Sequence, residues 1–176
     1  MFDPIAVALS WIGVNGAIWI ALAIVFAFLW RRPLLVPLVA FAGLGADLAA
    51  TGVKTLVGRP RPPIAFTSID PLLALPHSSS FPSGHAATSF ACATCFVWVS
   101  RSIRVRAFVL TLAAAIAYSR LYAGVHYPLD VLAGAALGVA TALLLLLTLR
   151  VAERRAELHL LARLQQARGD HAERRE

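Results

Sequence analysis

Five long apolar runs dominate this chain of 176 residues: Ile5–Trp30, Pro33–Val57, Phe81–Val99, Val105–Leu121 and Pro128–Leu149. A helix needs roughly 20 apolar residues to cross a bilayer, and inside lipid its backbone groups must be satisfied within the segment itself. The runs therefore predict an all-α fold, an integral-membrane bundle of about five transmembrane helices. The first is long enough to tilt, or to bend near Gly13-Val14-Asn15-Gly16, and the fourth is the shortest. Between the second and third lies Gly58–Ser80, whose Pro and Ser content reads as a loop with a short surface helix. No internal repeat is visible. Composition agrees: 59% hydrophobic and 14% charged residues exclude intrinsic disorder and argue against an ordinary water-soluble globule.

The net charge of +7 would fit a nucleic-acid partner in a soluble chain. Here the charges sit between apolar runs rather than on a basic face, so no nucleic acid is expected. They orient the bundle instead. Arg31 and Arg32 follow run one, Arg101, Arg104 and Arg106 follow run three, and Arg150, Arg154, Arg155, Arg163, Arg168, Arg174 and Arg175 follow run five. Five crossings bring these twelve of sixteen basic residues to one side, which the positive-inside rule makes cytoplasmic. The N-terminus then faces out. Residues 1–150 form the transmembrane domain, and 151–176 form a basic cytoplasmic tail, expected to be helical. No positive region and cleavage site open the chain, so the first run is expected to remain in the mature protein. Cys92 and Cys95 lie within run three and read as small buried residues, with no disulfide framework or zinc site. No metal or other cofactor is expected, and no sequence feature assigns an oligomeric state.

Four cations remain on the outer side: Lys54, Arg59, Arg61 and Arg120. They stand with Phe81-Pro82-Ser83-Gly84-His85, which opens run three, and His126-Tyr127-Pro128-Leu129-Asp130, which opens run five. The topology brings these helix ends to one membrane face, where cations, two histidines and a carboxylate suit a tetrahedral oxyanion such as phosphate. Pro82 fits a first helical turn, and Ser83-Gly84 would leave open N–H groups at its positive end. Lys54, Arg61 and Arg120 would neutralise phosphate oxygens, the arginines as planar forks. Asp130 follows His126 by four residues and can hold one imidazole nitrogen while the other attacks. His85, on another helix, is placed to protonate a leaving oxygen.

The motifs Lys54-x6-Arg61-Pro62, Pro82-Ser83-Gly84-His85 and Ser119-Arg120-x5-His126-x3-Asp130 together resemble the type 2 phosphatidic acid phosphatase superfamily. The stretch Ser119–Gly134 looks especially like small bacterial lipid phosphatases, including undecaprenyl-diphosphate phosphatases. The resemblance implies metal-independent hydrolysis through a phosphohistidine on His126, with Asp130 as its partner. His85 would be the general acid and then the base that activates water. It assigns Lys54, Arg61, Ser83, Gly84 and Arg120 to the phosphate, with Ser119 and Arg59 in support. The implied substrate is a membrane lipid, undecaprenyl diphosphate first, at the outer face of the cytoplasmic membrane. Phosphatidylglycerol phosphate, phosphatidic acid and other polyprenyl-phosphate lipids stay open. Many members have six spans, so five suggest an N-terminal helix missing or reduced to Met1–Pro4.

Other polar residues have plainer readings. Asp47 lies two turns before Lys54 on the same helix face, in a structural or supporting role. His77 reads as a solvated loop residue or a lid contact to the lipid head. In the tail, Leu158, Leu160, Leu161 and Leu164 among Arg and Glu suit a solvated or membrane-surface helix, with dimer formation as the alternative. A phosphotransferase using the same histidine, or a lipid-binding or transport protein, are the rival functions. The apolar runs exclude the soluble haloperoxidases that share related motifs.

Overall fold

The computed structural model describes residues 3–13 and 16–173, with side chains to residue 161 and at 163. Among these residues there is no strand. The helices are α1 (Asp3–Ile12), α2 (Ala17–Trp30), α3 (Leu35–Val57), α4 (Pro62–Ala65), α5 (Gly84–Val99), α6 (Ile103–Tyr122) and α7 (Pro128–Glu173). The first apolar run is thus two helices, bent by 67°. Gly16 takes a left-handed φ of 70° just before α2, a conformation that costs glycine little. Val14 and Asn15 of the expected bend, and Met1 and Phe2 of the expected N-terminal remnant, lie outside the described residues. So do Arg174 and Arg175 of the tail.

By length and apolarity, three segments can cross a membrane: Leu35–Ala65, α6, and Pro128–Leu161, with the bent α1–α2 pair a fourth. The third run yields only the 16 residues of α5, about 24 Å at 1.5 Å per residue. It is shorter than the sequence suggests because Phe81 and Pro82 belong to the approach and Ser83 is the N-cap. Pro82 therefore precedes the helix instead of occupying its first turn.

Contacts group the chain into Met1–Leu143 and Leu144–Glu176. The second unit is helical through Glu173, and its described side chains from Leu147 to Leu161 are exposed. In the first unit α5 packs against α3 and α6, with α2 against α3 and α1 against α6. The buried face of α5 is all Ala, Ser or Cys except Phe96. Phe28, Leu34 and Leu56, by contrast, are each more than three-quarters exposed. Small side chains inside and large apolar ones outside mark packing in lipid, where close backbone approach replaces a hydrophobic driving force between helices.

At two glycines α7 comes close to the backbone of α5. A Cβ added at Gly134 would collide with the Ser83 carbonyl oxygen, and one at Gly138 with the Ala87 carbonyl oxygen. The two glycines are one turn apart on one face of α7, so the helix lies directly on the backbone of α5. This contact sets the first turn of α7, which carries Asp130, beside the first turn of α5, which carries His85. At the other edge Trp19 is fully buried, donates Nε1–H to Ser89 Oγ (3.2 Å), and ties α2 to α5.

Candidate active site

Arg61 is the organising side chain. Gly58 closes α3 in a left-handed turn (φ 63°), and the chain then runs to Arg61, the N-cap of α4. The guanidinium is buried. Nε donates to the Ser78 carbonyl (3.0 Å), Nη2 to Ser78 Oγ (3.3 Å) and Nη1 to the Val125 carbonyl (2.9 Å). Nη1 also lies 3.2 Å from His126 Nε2. A guanidinium can only donate, so Nε2 accepts with its lone pair and the neutral ring carries its proton on Nδ1.

That proton faces Asp130. His126 Nδ1 is 3.4 Å from Asp130 Oδ2, within electrostatic reach but without a formed hydrogen bond. Asp130 is fully buried, accepts the Tyr127 N–H at Oδ2 (2.9 Å) and pairs with Arg59 Nη1 at Oδ1 (2.9 Å). The i,i+4 spacing thus brings the two residues together as the sequence suggests. Arg59 also lies over the Tyr127 ring, 4.0 Å from its centroid, and serves the carboxylate rather than the cavity.

The cavity itself has a volume of about 550 Å³, and Lys54, Arg61, Gly84, His85, Arg120 and His126 all border it. Among the described residues, two buried side-chain nitrogens lack a hydrogen-bond partner: Arg120 Nε and His126 Nδ1. Of the two, His126 Nδ1 faces Asp130, while Arg120 borders the cavity with a donor to offer an anion. The Lys54 ammonium lies 4.0 Å from the point where a Gly84 side chain would begin, and Asp47 Oδ1 lies 3.5 Å from the same point. Glycine therefore leaves the N-terminus of α5 open to these groups.

Two expected contributors, Ser83 as a phosphate ligand and Ser119 as its support, differ in detail. The Ser83 N–H is not open, since it donates to the Asp130 carbonyl (2.9 Å), and Ser83 Oγ caps α5 at the Ala86 N–H (3.5 Å). Ser119 donates to the Ile116 carbonyl (2.7 Å) and sits behind Arg120, away from the cavity wall. His77 is exposed, while Asp47 borders the cavity.

Three contributors escape a reading of the sequence. Ser78 holds Arg61 from the Pro- and Ser-rich loop, which is strapped down where Ser79 Oγ donates to the Lys54 carbonyl (2.8 Å) and the Ser80 N–H to the Arg59 carbonyl (2.9 Å). Ser10, from α1, touches His85. Gly134 lets α7 reach α5. The serine-rich run was a visible signal for the first; a lone serine in an apolar run was none for the second.

The apolar helices are long enough to cross a membrane, and three cations and two histidines border one cavity between them. The sequence profile of the PAP2 superfamily matches residues 33–154, and the chain belongs to that superfamily. Among its relatives, the lipid A 4′-phosphatase of Bacteroides thetaiotaomicron is 36% identical over 91 residues, 49% of this chain and 40% of that protein. This chain therefore spans about two-fifths of that relative's length. The decaprenylphosphoryl-5-phosphoribose phosphatase of Mycolicibacterium smegmatis is 38% identical over 133 residues, covering 72% and 68%. The crystal structure of Aquifex aeolicus LpxE aligns with a TM-score of 0.72 at 32% identity, covering 82% of this chain and 85% of the other.

Proposed function

We propose that this protein is a hydrolase that removes phosphate from a membrane lipid through a phosphohistidine on Nε2 of His126. The observation that carries the reading is the Arg61 N–H on Nε2, because it fixes the tautomer in which Nε2 holds a lone pair, on a side chain that borders the cavity. An entering phosphate would draw the Arg61 donor to its own oxygen and free that lone pair. Lys54, Arg120 and the first turn of α5 would take the remaining charge, stabilising the pentavalent transition state. Nε2 bonds to phosphorus as the P–O bond to the lipid breaks, and His85 gives a proton to the leaving oxygen. Water then attacks the phosphohistidine while His85 takes its proton, releasing inorganic phosphate. Asp130 stabilises the positive charge that develops on the ring.

For the lipid, undecaprenyl diphosphate is the first candidate, on the resemblance of Ser119–Gly134 to phosphatases of that substrate. A relative named for a decaprenylphosphoryl lipid supports a polyprenyl chain. The test is phosphate release by detergent-purified protein from undecaprenyl diphosphate, phosphatidylglycerol phosphate and phosphatidic acid, in excess chelator. Turnover of at least one is expected; a requirement for added Mg²⁺ would sink the mechanism.

The distribution of arginines supports a site on the extracytoplasmic side, with residues 151–176 in the cytoplasm. Ser68 and Ser102 are both exposed, on loops expected at opposite faces, while the native Cys92 and Cys95 are buried. A membrane-impermeant maleimide added to whole cells should label Ser68→Cys and spare Ser102→Cys. The opposite pattern would reverse the orientation.

A further inference from the structure

His85 has a partner outside the segment that the family profile covers. Its Nε2 lies 3.3 Å from the carbonyl oxygen of Ser10, near the end of α1. A carbonyl can only accept, so Nε2 carries a hydrogen there and the proton that His85 exchanges belongs to Nδ1. Ser10 is itself buried and held from the other side. Its hydroxyl is 3.1 Å from Ser119 Oγ. Ser119 spends its single hydrogen on the Ile116 carbonyl (2.7 Å), so Ser10 is the donor in that pair. The anchor stands immediately before Arg120, which borders the cavity.

Gly13 completes the arrangement. A Cβ there would lie 2.7 Å from Ile116 Cγ2 and 3.1 Å from His85 Cδ2. Only a residue without a side chain lets the end of α1 rest against both α6 and the imidazole. Resting on the reading of His85 as general acid, we propose that the end of α1 is a positioning element for that acid. The Ser10 carbonyl fixes the ring through Nε2, Ser119 fixes Ser10, and Nδ1 is left to protonate the departing oxygen.

Leaving-group dependence tests this. An alkoxide must be protonated as it departs, whereas a nitrophenolate departs without help, so a misplaced acid affects only the first. The measurement is kcat/KM, which covers the steps through formation of the phosphohistidine, for an alkyl phosphate and a chain-bearing nitrophenyl phosphate. Gly13→Val is expected to lower the alkyl-to-nitrophenyl ratio about tenfold. Ser10→Ala keeps the carbonyl but frees it from Ser119, and should move the ratio the same way by a smaller factor. Losses that fall equally on both substrates in both variants would mean ordinary packing and overturn the proposal. His85→Ala is the reference: it must lower the ratio further still. Equal losses on both substrates in that variant would instead remove His85 as the acid, and the positioning role with it.

Discussion

Replacing His126 by alanine is expected to lower phosphate release about 10³-fold or more, the scale seen when a nucleophile is removed from a group that acts as a unit. The side chain is buried between Arg61 and Asp130. The wild-type protein, mixed rapidly with substrate, should yield a phosphoenzyme stable in alkali and labile in acid, as a phosphoramidate bond is. His126→Ala should yield none. Retention of either signal would move the nucleophile elsewhere.

The pH profile carries the same argument. Burial above all, with the Arg61, Arg120 and Lys54 charges, holds the His126 pKa down to about 4 against the opposing pull of Asp130. A depressed pKa keeps the ring neutral, and hence nucleophilic, through the range where an ordinary imidazole of pKa about 6.5 is protonated. The acid limb of kcat/KM that belongs to His126 should therefore lie near pH 4. The stability consequence has a definite sign. Below about pH 6.5 the unfolded chain binds a proton that the folded ring refuses, so this group's contribution to stability falls as pH drops from there towards 4.

The second large effect is on the fold. Gly138→Val is expected to destabilise the protein by about 3 kcal/mol, the upper end for overpacking, because the added side chain meets the Ala87 backbone rather than a movable side chain. Thermal unfolding in detergent would show it, together with lost activity, since the displaced helix carries Asp130 and its carbonyl holds Ser83. Gly52 on α3 is the control: a Cβ there meets nothing within 4 Å, and Gly52→Ala should be neutral or stabilising by up to about 1 kcal/mol. Equal behaviour of the two variants would contradict the close packing of α5 on α7.

What could be read beforehand follows from which signals are local. Length and apolarity located every long helix, because a lipid-exposed helix must be apolar along most of its length. The cations Lys54, Arg61 and Arg120 stood out because they oppose the charge bias of their side of the membrane. Pro82 reads as a first-turn residue, yet α5 starts at Gly84, because Ser83 caps the helix and gives its N–H to Asp130, a partner 47 residues away that no local pattern shows. The α1–α6 contact through Ser10 and Ser119 spans 109 residues and joins two unremarkable serines, so no periodicity announces it. Gly134 and Gly138 are spaced for helix packing, yet only the structure says which helix they meet.

The hydrogen bond from Arg61 to Nε2 also bears on what the resting protein leaves alone. The lone pair proposed to attack phosphorus is held by the cation that a bound phosphate would claim. A neutral electrophile has nothing to offer that guanidinium and meets a capped nitrogen. In the proposed reaction an anion would uncap it by arriving, so negative charge on the incoming group would be the key to reactivity as well as the source of affinity.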